Sequence, residues 1–218
     1  MPTVVLLVLA AVAALVDWWA VARQWVRTRY LSKPAVLALL VAAACVADLG
    51  DAKAWVVAAL ALGLLGDVAL LAPAGPVDAP PGTAFLAGLG AFLLGHVAWI
   101  LAFLTRDSHG VAFVAGLVAA LAVGAFALGP VLASARRSAG LPFAAIVAGY
   151  AVVLVVAAAF AVGTGREATT VGGLLFLLSD ATLARERFVR PVRGGPVSVI
   201  VSYHLAQALM LIGLVHAF

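Results

Sequence analysis

An all-α bundle of membrane-spanning helices is the fold class this sequence predicts, and three observations predict it. Hydrophobic residues make up 66% of the 218 and charged residues only 10%, with a mean hydropathy of +1.22. A soluble domain lies nearer 45–50% apolar and about 25% charged. The apolar residues gather into eight runs close to the roughly 20 residues that a bilayer crossing needs. Short loops separate these runs, and lysine and arginine fall mostly in alternate loops. Residues 1–218 are therefore expected to form a single transmembrane domain.

The first run, 3–22, lacks the basic leader of a signal peptide, so it reads as a retained helix. Asp17 beside Trp18 and Trp19 suits its interfacial end. Pro34 is expected to open the second run, 34–49, with Lys33 at its mouth. That run is short, as a tilted neighbour or a local thinning would allow. It holds Cys45, the sole cysteine, which excludes an intramolecular disulfide and suggests simple packing. The third run, 54–72, carries Asp67, and "PAGPVDAPPG" punctuates the connection to the fourth, 83–104, which carries His96. Runs five and six, 110–132 and 142–163, meet where Pro142 opens the latter, and Tyr150 lies in the sixth. The seventh, 168–184, holds Ser179 and Asp180. Its flank from Arg185 to Arg193 reads as a stop-transfer segment or, more sharply, as a site for an anionic lipid headgroup. The eighth, 197–217, holds Tyr203, His204 and Gln207; His109 and His216 fall at span ends and are assigned nothing.

The basic balance of +4 would suggest nucleic acid in a soluble protein. Here it is a topology signal, and no nucleic-acid partner is expected. Ten lysines and arginines fall in the first, fifth and seventh connections against three on the other side: Lys53, Arg106 and Arg166. The positive side should be cytoplasmic, which places both termini of a multi-pass cell-membrane protein outside. An internal echo accompanies this pattern. "LLGDVALL" (64–71) resembles "LLSDATLA" (177–184), and "GHVAW" and "YHLAQ" follow each in the next span. Four spans separate the copies, which fits a parallel four-plus-four repeat.

Carboxylates within hydrocarbon cost about 2.5–3.5 kcal/mol on insertion scales, and such residues usually mark function. By helix rise, Asp67 and Asp180 lie about 20 and 18 Å from the outer ends of their spans, at nearly equal depth. Tyr150, Tyr203, His204 and Gln207 reach the same zone, with His96 nearer the midplane. Each has a plainer role open to it, as interhelical glue or as a structural ion-pair partner, and Ser179 is expected to bond back to its own helix. The scattered histidines offer no HExxH or paired Cys/His spacing, so neither metal nor other cofactor is expected. No GxSxG elbow and no Walker lysine is present. A pair of buried carboxylates with a histidine and tyrosines suits general acid–base hydrolysis, one acid protonated while the other stays charged.

Five motifs in order then resemble the YhhN-like lysoplasmalogenase family of eight-span membrane enzymes. They are Lys33-Pro34 in "LSKPAVLALL", Gly66-Asp67 in "LGLLGDVALL", Gly95-His96 in "FLLGHVAWILAF", Ser179-Asp180 in "GGLLFLLSDATLARERF", and Tyr203 to Gln207 in "SYHLAQALMLIG". His204 departs from the family pattern, which has a second tyrosine there. The resemblance implies a lysophospholipid substrate within the membrane and hydrolysis of the vinyl ether bond of a lysoplasmalogen to a fatty aldehyde and a glycerophospho-base. It implies Asp67 and Asp180 as the catalytic pair, with His96 and Tyr203 orienting water or a carboxyl. On the same reading Gln207 would bond the glycerol and Lys33 the phosphate, with Tyr150, Ser179 and His204 also near substrate. A proton-coupled carrier remains the alternative from another class, favoured by helices broken at Gly66 or Gly173; a non-catalytic scaffold is a third. Nothing in the sequence specifies headgroup or oligomeric state.

Overall fold

The computed structural model describes residues 1–72, 82–107 and 109–215, apart from the side chains at 123 and 125–127. Most of the connection "PAGPVDAPPG" and all of His216 lie outside the described residues. Among the described residues seven α-helices follow in order: α1 (Pro2–Ala22), α2 (Val26–Val46), α3 (Lys53–Ala69), α4 (Thr83–Leu104), α5 (Gly110–Gly163), α6 (Glu167–Phe188) and α7 (Gly195–Leu214). A 3-10 turn, Gly50–Ala52, leads into α3, and no strand occurs among the described residues.

Helix α5 is two spans. Its 54 residues would run about 80 Å if straight, far beyond a hydrocarbon core of about 30 Å. The chain reverses at Ala139 (φ −145°) and Gly140 (φ 79°, ψ −177°), the latter a conformation reserved almost wholly for glycine. Beyond it, Pro142 starts the second arm with a preset helical φ. At the far end the two arms meet again: His109 N–H donates to the Gly163 carbonyl at 2.8 Å, and Phe113 packs on Phe160. Counting both arms, the chain makes the eight expected crossings. Among the described residues six helical segments are long and apolar enough by themselves to cross a membrane, Leu128–Gly163 being one. Charge at both ends and at Asp180 makes α6 the least apolar of the spans, though its 22 residues are long enough.

Several boundaries differ from expectation, among them the end of the first arm of α5, which runs past residue 132 to the reversal at 139, and two of them move site residues. Helix α2 begins at Val26, so Lys33 and Pro34 lie inside it. The run 26–33 is too polar to register as membrane-spanning, yet arginine and leucine favour the helix. Pro34 is tolerated there, at the loss of one backbone hydrogen bond. The second span is thus 21 residues, not short. Helix α3 ends at Ala69, which puts Asp67 in its last turn.

Consecutive helices pack side by side, and α7 closes the bundle against α1 and α2. Where helices approach closely, small residues face inward and large ones face lipid, because lipid tails are as apolar as a core and close approach decides the packing. Helix α1 shows this plainly. Ala10, Ala14, Asp17 and Val21 are buried, while Val4, Val8, Val12 and Leu15 are exposed. Cys45, expected to pack, lies exposed on the outer face of α2. At the α6–α7 crossing a Cβ on Gly172 would stand 3.0 Å from the Ala206 carbonyl oxygen and the Met210 nitrogen, so only glycine lets these backbones meet.

Candidate active site

Asp180 projects from the middle of α6 toward the second arm of α5 and toward α4. The Tyr150 hydroxyl donates to its Oδ2 at 2.5 Å. His96 Nε2 stands 3.7 Å from the same oxygen. The imidazole is fixed from behind: Nδ1 lies 2.7 Å from the Phe92 carbonyl oxygen. A carbonyl only accepts, so Nδ1 carries a proton. In the neutral ring Nε2 then presents a lone pair to the carboxyl. The 3.7 Å between Nε2 and the carboxyl oxygen holds no hydrogen bond, which leaves Nε2 able to accept a proton beside Asp180. Phe176 packs edge-on against His96 with centroids 4.4 Å apart.

This carboxyl opens onto a cavity of about 100 Å³ between α4, both arms of α5 and α6. Its walls are apolar, among them Leu89, Phe92, Leu128, Val147, Leu154 and Leu177. Tyr150, Asp180 and Arg187 supply the polar groups on the wall among the described residues. A long apolar tail with one reactive polar link suits such a chamber better than a small polar solute does.

Asp67 occupies a different setting. It is 1% exposed, and Lys33 Nζ lies 3.1 Å from its Oδ1 and 3.5 Å from its own carbonyl oxygen. Lys33, expected at the mouth of span two, is therefore buried and spent on a carboxylate. Tyr203 Oη adjoins the Asp67 carboxyl. Its ring packs edge-on against Phe92 (5.7 Å) and Phe176 (5.6 Å), which also flank the Asp180 cluster. The two carboxyls thus form no touching dyad. A chain of contacts runs from Asp180 through His96, Phe176 and Tyr203 to Asp67.

The remaining expected residues are buried but lie off the cavity wall. Gln207 accepts from Trp99 Nε1 at 3.0 Å, with its amide nitrogen beside Gly63. His204 faces α1, where its Nδ1 accepts from Trp18 Nε1 at 3.1 Å. Ser179 donates not to its own helix but to the Val199 carbonyl on α7, at 3.0 Å. Asp17, expected at the interface, is fully buried and accepts from Ser32 Oγ at 2.7 Å. Its place was readable in the small-residue stripe at 10, 14, 17 and 21. Arg187, in the flank from Arg185 to Arg193, also lines the cavity, seven residues after Asp180 and two turns along one helix face.

Fold and site together define a multi-pass membrane protein with its polar chemistry enclosed among the helices, next to an apolar cavity. The YhhN family model matches residues 28–214, from α2 to the end of α7, and the chain belongs to the YhhN family. No curated protein and no solved structure matches the chain.

Proposed function

We propose that this protein is a lysoplasmalogenase, hydrolysing the vinyl ether bond of an alkenyl glycerophospholipid that has lost its second chain. The observation that carries the reading is the Asp180 carboxyl, held by Tyr150 and His96, at the wall of an apolar cavity. Family membership and the five motifs support it. The fatty tail lies in the chamber, and the reacting double bond comes to Asp180.

Vinyl ether hydrolysis begins with a proton. Protonated Asp180 delivers it to the alkene carbon farther from oxygen, and the C=C electrons form the new C–H bond. The resulting oxocarbenium ion is stabilised by the Asp180 carboxylate left behind. Water adds to the carbon bonded to oxygen while His96 Nε2 takes its proton, giving a hemiacetal. His96 then protonates the departing glycerol oxygen, and Asp180 recovers its proton from the hemiacetal hydroxyl as the aldehyde forms. One water is consumed and both side chains return to their starting states. Asp67 acts as a positioning residue through Tyr203. The substrate need not leave the bilayer, and the basic loops face the cytoplasm.

A carrier would be favoured by helices broken at Gly66 or Gly173; α3 and α6 run unbroken through both. The test is aldehyde release by purified protein from a 1-alkenyl lysophospholipid beside its saturated 1-alkyl analogue. Wild type should release aldehyde from the alkenyl lipid alone, and Asp180→Asn should lower the rate about 100- to 10,000-fold. Full activity in a folded Asp180→Asn protein, or no release by wild type, would refute the reading.

A further inference from the structure

We propose that Arg187 is the phosphate-binding residue of the substrate site, an assignment that rests on the lysophospholipid reading above. Arg187 is 7% exposed and lines the same cavity as Asp180. On that wall it is the one cation among the described residues, as Asp180 is the one carboxyl. Lys33, the other candidate for the phosphate, has its ammonium on Asp67.

Spacing and chemistry agree. Seven residues of helix separate Asp180 from Arg187 by about 10.5 Å along the axis. Helical side chains lean toward the N-terminus, and the longer arginine leans farther than the aspartate, which shortens the gap between guanidinium and carboxyl. In the substrate, seven bonds of about 1.5 Å join the alkene carbon that takes the proton to phosphorus, roughly 8–9 Å when extended. A lipid with its double bond at Asp180 and its tail in the chamber therefore sets its phosphate beside Arg187. The guanidinium lies 5.2 Å from the Phe85 ring and 5.6 Å from the Phe188 ring. Such contacts engage the face of the planar cation, whereas phosphate oxygens are met by its in-plane N–H groups, in a bidentate fork. Five N–H donors allow a protein contact and a phosphate to share one arginine. The phosphate is common to ethanolamine and choline lipids, so this contact would fix position along the site rather than choose between headgroups.

Binding separates this assignment from the chemistry. A saturated 1-alkyl glycerophosphoethanolamine without a second chain and the matching 1-alkylglycerol, which lacks phosphate, would be bound to wild type, Arg187→Gln and Arg187→Lys in detergent. Arg187→Gln should weaken the phospholipid about 10- to 100-fold and leave the alkylglycerol within about twofold, with partial recovery in Arg187→Lys. Equal losses for both lipids would make Arg187 a structural residue and overturn the proposal, as would no loss for either. If wild type releases no aldehyde yet the phosphate-specific loss is seen, the anion site stands and the hydrolase reading falls. If aldehyde is released and the loss is absent, the reverse holds.

Discussion

Lys33 and Asp67 form an ion pair in which both partners are nearly inaccessible, with side chains 8% and 1% exposed. Removing one partner of such a pair leaves a charge stranded in a low dielectric, at about 3–5 kcal/mol, whereas replacing both by apolar groups is often neutral. Lys33→Met should therefore lower the unfolding midpoint in detergent sharply, and Lys33→Met with Asp67→Leu should restore most of it. Additive losses in that cycle would show that the pair is not coupled. Tyr150 offers a test of function at the same scale. Tyr150→Phe deletes the hydroxyl that donates to Asp180 Oδ2 at 2.5 Å and little else. Loss of a hydrogen bond to a charged or shared-proton carboxyl, about 1.5–3 kcal/mol, should lower kcat roughly 10- to 100-fold with KM nearly unchanged. A rise in KM alone would make Tyr150 a substrate contact instead. The residues of this site were legible as types, because an aspartate in hydrocarbon has few plain explanations. Their pairings were not. Nothing in the spacing tells that Lys33 meets Asp67 rather than a phosphate, or that Ser179 bonds to α7, since those contacts depend on helix rotation.

Helix-scale features divide in the same way. Long apolar runs fixed where six spans lie, and Pro142 marked the start of the second arm of α5. The start of α2 is hidden in the sequence because its first turns are rich in arginine and a proline follows. Inward faces were also obscured, since lipid and core make nearly the same demand for apolar side chains. Glycine is the better guide there. Gly172→Ala would put a methyl group against the Met210 side chain, which can yield, and against the backbone of α7, which cannot. Gly149 has nothing within 4 Å of its would-be Cβ. Gly149→Ala should be neutral or stabilising by up to about 1 kcal/mol through helix propensity alone, while Gly172→Ala should destabilise by about 1–3 kcal/mol through overpacking. Thermal unfolding of the two variants in one detergent compares them directly, and equal effects would discount the close crossing of α6 on α7.

Across the whole molecule the two halves answer one another. Asp67 on the third span is met by Lys33 from the second and adjoined by Tyr203 from the eighth. Asp180 on the seventh is met by Tyr150 from the sixth and by His96 from the fourth. Each carboxyl thus takes one partner from the span before it and one from the last span of the other half. Trp99 and Gln207, at matching places in "GHVAW" and "YHLAQ", bond to each other. That is what a parallel four-plus-four arrangement about an axis along the membrane normal would give. Eight crossings put both termini on one side, and by the positive-inside rule the distribution of lysine and arginine predicts that this is the outer side. Two of the three cations on the sparse side have local work: Arg106 donates to the Leu49 and Leu214 carbonyls, and Arg166 to the Gly213 carbonyl, tying down the end of α7. Their presence there is explained by packing and does not weaken the bias. Single cysteines tested in intact cells, with Cys45 replaced, would read the orientation. Asp107→Cys lies on the same side as the termini, and Ala139→Cys on the opposite side, at the reversal in α5; both sites are exposed. A membrane-impermeant maleimide should label the first in intact cells and the second only after permeabilisation. Labelling of Ala139→Cys alone from outside would invert the topology, turn the basic loops outward and move the Arg187 end of the cavity to the outer leaflet.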